Sequence, residues 1–124
     1  MAKGRRIERL QQLILRTAAT FIQREVRDPR VGIVSITRVK LSPDLSHAQL
    51  YWSTLGTEAE QRTCGRGLED ALPAIQRAVA GAMQTRVTPH LELRFDKTIE
   101  QSQRLEEIFR HLREERGEPE DEGD

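Results

Sequence analysis

Thiols are all but absent from this chain: Cys64 is its single cysteine in 124 residues. One thiol can neither close an intrachain disulfide nor build a cysteine-cluster zinc site. Aromatic residues are almost as scarce, with only Phe21, Tyr51, Trp52, Phe95 and Phe109. Base-stacking platforms of the kind used by many single-strand RNA binders are therefore expected to be few. No apolar run approaches the ~18 residues of a membrane span. The opening Met1-Ala2-Lys3-Gly4-Arg5-Arg6 leads into an amphipathic pattern rather than a secretory apolar block. A reducing cytoplasm is the expected location, with no membrane partner. Catalytic signatures are missing too: there is no P-loop, no Gly-x-Ser-x-Gly and no paired-carboxylate motif. His47, His90, His111 and Cys64 are scattered over different segments without metal-ligand spacing. Neither enzymatic activity nor a metal or cofactor is expected.

What the chain does have is charge. Charged residues make up 32% and hydrophobic residues 36%, respectively above and below the balance of an ordinary globular domain. The length suits one compact domain that can bury a core without staples. The formal net charge of zero conceals an asymmetry. Residues 1–40 hold ten Lys/Arg against three Asp/Glu, whereas residues 99–124 hold four against ten. A basic first third and an acidic end suggest a polyanion-binding face and an acidic tail; the plainer alternative is two solvated surfaces of opposite sign.

Hydrophobic spacing divides the chain into elements. Ile7, Leu10, Ile14, Ala18, Phe21 and Ile22 recur every three or four residues, which predicts a helix over residues 5–26. Asp28-Pro29-Arg30 stops it, because a residue before proline resists helical geometry. Residues 31–41 alternate, with Ile33, Ser35, Thr37, Val39 and Leu41 on one face and Val34, Ile36, Arg38 and Lys40 on the other. Ser42-Pro43-Asp44-Leu45-Ser46 carries turn chemistry, and Ala48, Leu50 and Trp52 form the inward side of a second strand, completing a hairpin. That parity assigns Trp52 to core packing rather than to base stacking. Asp44 and His47 fall close together, but a turn residue and a strand start explain them better than acid–base chemistry does.

Thr57 with Glu60 has the form of a capping box. The helix it opens carries Leu68, Ala71, Leu72, Ile75, Val79, Ala82 and Met83 on one stripe, with Pro73 inside it. An internal proline loses a backbone hydrogen bond, so a kink or break is expected there. Leu91, Leu93 and Phe95 alternate as a third strand. Thr98 and Gln101 suggest the cap of a last helix carrying Leu105, Ile108, Phe109 and Leu112. Residues 114–124 lack apolar anchors and are expected to form a disordered acidic tail behind a domain spanning residues 1–113. Three strands with helices on one face make a two-layer α+β sandwich.

At this point the residues carry a family resemblance. Asp28-Pro29-Arg30, the stretch from Thr37 through Arg38-Val39-Lys40-Leu41-Ser42-Pro43-Asp44-Leu45-Ser46-His47 to Ala48, and Arg86-Val87-Thr88-Pro89-His90-Leu91 resemble, in order and spacing, the ribosome-binding factor A family. The resemblance covers roughly residues 5–112. It implies a type II KH-like fold: helix, strand, strand, helix, kink, helix, strand, with an additional C-terminal helix. It also implies a non-catalytic, monomeric assembly factor that binds free immature small ribosomal subunits and their rRNA. Such a factor would assist late maturation and rRNA processing, notably in the cold. Where the family has an Ala-x-Gly kink, this sequence has Ala71-Leu72-Pro73.

Basic residues are the candidate RNA contacts. Lys3, Arg5, Arg6 and Arg9 open the first helix, Arg24, Arg27 and Arg30 gather near its end, and Arg38 and Lys40 point from the outer strand face. Arg77 and Arg86 flank the second half of the long helix. Arginine pairs with phosphate in a bidentate way. Cations at a helix N-terminus oppose its dipole, at a cost of about 0.3–1 kcal/mol each, so helix stability does not explain them. The competing reading is a protein–protein module of the same fold, with the acidic C-terminal helix as its partner surface.

Overall fold

The computed structural model describes residues 2–97 and 103–117. Its first helix, α1, runs Ala2–Glu25. Ile14 and Ala18 on its predicted stripe are fully buried, and Ile22 is nearly so. Beyond α1, residues 26–34 form a loop around the Asp28-Pro29-Arg30 stop. Within it the Val31 amide donates to the Asp28 carbonyl at 3.0 Å, Val31 is buried, and Gly32 takes a left-handed φ of 55°. The first strand, β1, is therefore shorter than the alternation suggests and spans Ser35–Leu41.

A bulge then changes its parity. Ile36 pairs with Trp52 and Arg38 with Tyr51, leaving Thr37 without a partner on β2, His47–Ser53. Two residues facing one shift the side-chain alternation by one step. Ile36 is consequently in the core with Val39 and Leu41, whereas simple alternation places it outside. Ala48, Leu50 and Trp52 are buried as their spacing predicts.

The second helix, α2, spans Glu58–Ala82 behind a complete capping box: the Glu60 amide donates to Thr57 Oγ1, and the Thr57 amide donates to the Glu60 carboxylate. The expected break at Pro73 is absent, and α2 continues as one helix through that position. The reason is placement. Pro73 lies on the exposed face, as does Glu69 four residues earlier. The Glu69 carbonyl that loses its donor is thus near water, while Leu68, Ile75 and Val79 keep one buried stripe across the site.

The third strand, β3, covers His90–Phe95 and lies parallel to β2, giving a mixed sheet of order β1-β2-β3. Gln76 of α2 locks its entry, donating to the Pro89 carbonyl at 2.7 Å and accepting from the Leu91 amide at 3.0 Å. Helix α1 packs on β1 and on α2, and α2 packs on β3, so both cover the same side of the sheet. The last helix, α3, spans Gln103–Glu115, taking in Glu114 and Glu115 that composition assigns to the tail. Its Phe109 is 1% exposed and borders a groove shared with Val31, Gly32 and Ile33. The expected cap at Thr98 and Gln101, the Leu105 side chain and the acidic residues 118–124 lie outside the described residues.

Candidate nucleic-acid interface

Two-layer packing sorts the basic residues onto different sides of the molecule. On the helix side, Arg5, Arg6 and Arg9 are exposed on the first turns of α1, and Arg24 and Arg27 are exposed at and just past its end. A rise of 1.5 Å per residue separates the two groups by about 30 Å. None of these five makes an ion pair among the described residues. Arg24 and Arg27 line an open groove of about 620 Å³ together with Thr20, Gln23, Glu115 and Arg116. Across it Gln23 Nε2 donates to Glu115 Oε2 at 3.3 Å. Arg77 is exposed on α2, and Arg86 is exposed in the loop before β3 beside Val87.

Arg30 behaves differently from its neighbours. Its Nη2 donates to Asp28 at 2.6 Å and to Asp70 at 2.7 Å, and its Nε donates to both oxygens of Asp28. The backbone amide of Arg30 also donates to Asp28 Oδ1. Side-chain hydrogen bonding to Arg30 holds the Asp28 carboxyl below its ordinary range, and the two carboxylates push the guanidinium pKa higher still. Arg30 thus ties the post-α1 loop to α2, with its Nε and Nη2 donors engaged by carboxylates.

Arg38 and Lys40 lie on the opposite side, on the sheet face that α1 and α2 leave uncovered. The register aligns Arg38 with Tyr51 and Tyr51 with Arg94. The Arg38 guanidinium sits 3.9 Å from the centroid of the Tyr51 ring, and its Nε is 3.6 Å from the buried Asp96 carboxylate. Asp96 in turn accepts from Thr37 Oγ1 at 2.5 Å, and its amide donates to the Trp52 carbonyl. The next row is Lys40, Gln49 and Glu92, and the row beyond brings His47 against His90, with ring centroids 6.0 Å apart. Tyr51, Arg94, His47 and His90 are absent from the sequence-based set. Their outward parity was legible; the parallel pairing of β3 with β2 that gathers them was not.

Two residues whose types invite a chemical role are structural. Asp44 Oδ1 accepts from the hydroxyls of Ser42 and Ser46, each at 2.7 Å, and from the Ser46 amide. Those bonds depress its carboxyl to about 2, and they brace a turn in which Leu45 takes a positive φ of 64°. Cys64 is buried in the core. Its Sγ donates to the Val31 carbonyl at 3.1 Å. Burial, and then the charge of Asp28, push the thiol up to about 11.

Comparison with known proteins agrees with this architecture. The family model described as ribosome-binding factor A matches residues 6–109. Ribosome-binding factor A of Thermomicrobium roseum is 38% identical over 108 residues, covering 87% of this chain and 84% of the relative. The Halothermothrix orenii protein of the same name is 34% identical over 121 residues, 98% of this chain and 99% of its own length. The crystal structure of ribosome-binding factor A from Thermus thermophilus superposes with a TM-score of 0.62 at 27% identity, covering 71% of this chain and 93% of that one.

Proposed function

The chain belongs to the ribosome-binding factor A family, and on that premise we propose that it is a non-catalytic assembly factor that binds the rRNA of immature small ribosomal subunits. The observation that carries the reading is the set Arg5, Arg6, Arg9, Arg24 and Arg27, exposed and without an ion pair among the described residues. Guanidinium groups left free in this way are suited to phosphate. Two clusters about 30 Å apart exceed what one short hairpin offers, so the target is a folded rRNA surface touched at two places. Arg77 and Arg86 are secondary contacts in this reading. Binding as a monomer in the cytoplasm, the factor assists late maturation and rRNA processing, with greatest need in the cold. No helix among the described residues is long and apolar enough to cross a membrane.

The test is binding to purified small subunits over a range of salt. Each phosphate contact releases counterions, so affinity falls steeply with ionic strength. The double variant Arg24→Ala/Arg27→Ala should bind more weakly and flatten the log–log salt slope by about 1.4–1.8, or 0.7–0.9 per lost contact. Its stability should be nearly unchanged, because exposed unpaired arginines contribute little to folding. Wild-type affinity with an unaltered slope would refute the assignment of these contacts.

A further inference from the structure

We propose that the uncovered face of the sheet is a second RNA-contact surface, one that takes the unpaired bases of a single-stranded segment. This inference rests on the RNA-binding reading above but places a chemically different contact on the opposite side of the molecule. Both α1 and α2 cover the face carrying Ala48, Leu50 and Trp52, which leaves the other face for a ligand. That face is neither apolar nor uniformly charged. It alternates rings with cations: Arg38, Tyr51 and Arg94 in one row; Lys40, Gln49 and Glu92 in the next; His47 and His90 in the third.

Geometry favours bases over phosphates alone. His47 and Tyr51 share an outward column of the central strand, about 13 Å apart at 3.3 Å per residue, so rings stand at both ends of the patch. The Arg38 guanidinium, already 3.9 Å from the Tyr51 ring centroid, is anchored from behind by Asp96. A base can extend this preformed stack, since bases pack on both aromatic rings and guanidinium planes. Gln49 Oε1 accepts from the Tyr51 hydroxyl at 3.0 Å, which leaves the Gln49 amide nitrogen as a donor for a base edge. Charge complementarity selects a polyanion: Arg38, Lys40 and Arg94 face out against Glu92, and Asp96 is already engaged by Thr37 and Arg38. A duplex keeps its base faces stacked inside, so the matching ligand is single-stranded.

The test compares the full chain with Tyr51→Leu and Arg94→Gln on two probes: oligouridylate, whose bases stack little on one another, and an RNA hairpin of equal length. Tyr51→Leu should weaken oligouridylate binding about tenfold, or roughly 1.4 kcal/mol, within the range for losing one stacked base. Arg94→Gln should weaken it several-fold, and neither change should move hairpin affinity by as much as twofold. Arg94 is exposed, so its variant keeps the test decisive if Tyr51→Leu disturbs the sheet. If both variants bind oligouridylate like wild type while Arg24→Ala/Arg27→Ala loses RNA, the sheet-face proposal fails and the RNA reading stands. If the wild-type chain binds neither probe nor small subunits, the RNA reading itself fails and takes this inference with it.

Discussion

Placing a methyl group on Gly67 probes the contact on which the post-α1 loop depends. Gly67 is buried in α2, and a Cβ there would lie 2.8 Å from Val31 Cγ2, 3.3 Å from Arg30 Cβ and 3.5 Å from Asp28 Cγ. Gly81, in the last turn of the same helix, would place its Cβ in open space, with nothing within 4 Å. Both substitutions gain the backbone term that favours alanine over glycine in a helix, about 0.5–1 kcal/mol. Only Gly67→Ala adds an overpacking penalty, ~1–3 kcal/mol in a well-packed core. Val31 is 3% exposed and hemmed in, so it cannot simply turn away. The unfolding entropy of a chain this size, ~2.1 cal/mol/K per residue, makes 1 kcal/mol worth about 4 °C. Gly81→Ala should therefore raise the Tm by about 2 °C, at the low end because it lies near the helix terminus. Gly67→Ala, with a net cost of up to about 2.5 kcal/mol, should lower it by up to about 10 °C. Thermal unfolding followed by far-UV circular dichroism measures both. If Gly67→Ala raises the Tm as Gly81→Ala does, α2 does not meet the Asp28-to-Val31 loop as described. The account of how Arg30 is held would then fall with it.

Three further outcomes follow from the same structure. Asp28, Asp44 and Glu60 all have depressed carboxyl pKa values through hydrogen bonds from Arg30, the Ser42 and Ser46 pair, and Thr57. Their stabilisation is fully present above the unfolded value, 3.8 for aspartate, and is lost as pH falls through the folded value, about 2 for Asp44. The Tm should drop across that window, and Asp44→Asn should make the drop shallower. Cys64, with its thiol raised to about 11, should alkylate at pH 8 at least ~100-fold more slowly in the native chain than in denaturant, because only the thiolate reacts; labelling at equal rates would contradict its burial. Phe109→Ala removes the buried anchor of α3, so hydrogen exchange should show lost protection over residues 107–115 with β2 unaffected. Uniform loss across both would mean that α3 belongs to the central core.

Local patterns were readable wherever a residue's partners lie within a few positions. The α1 stripe, the Thr57–Glu60 box, the turn braced by Asp44 and the inward side of β2 all follow from spacing and side-chain chemistry over one or two turns of chain. The family's fold was legible for the same reason, because its diagnostic segments are contiguous. Only the tertiary structure decided which face of α2 Pro73 occupies, and hence that the helix continues through it. It also decided that a bulge at Thr37 turns Ile36 into the core, and that Cys64 is buried against the Val31 carbonyl. The candidate site divides along the same line. That Arg24 and Arg27 are cations is a property of the sequence; that they make no ion pair among the described residues while Arg30 is held by Asp28 and Asp70 depends on tertiary contacts, one of them across forty residues. Arg38, Tyr51 and Arg94 became one row through the parallel pairing of β2 with β3. A strand's own alternation sets which way a side chain points, but its neighbours across the sheet depend on a register closed through the whole of α2.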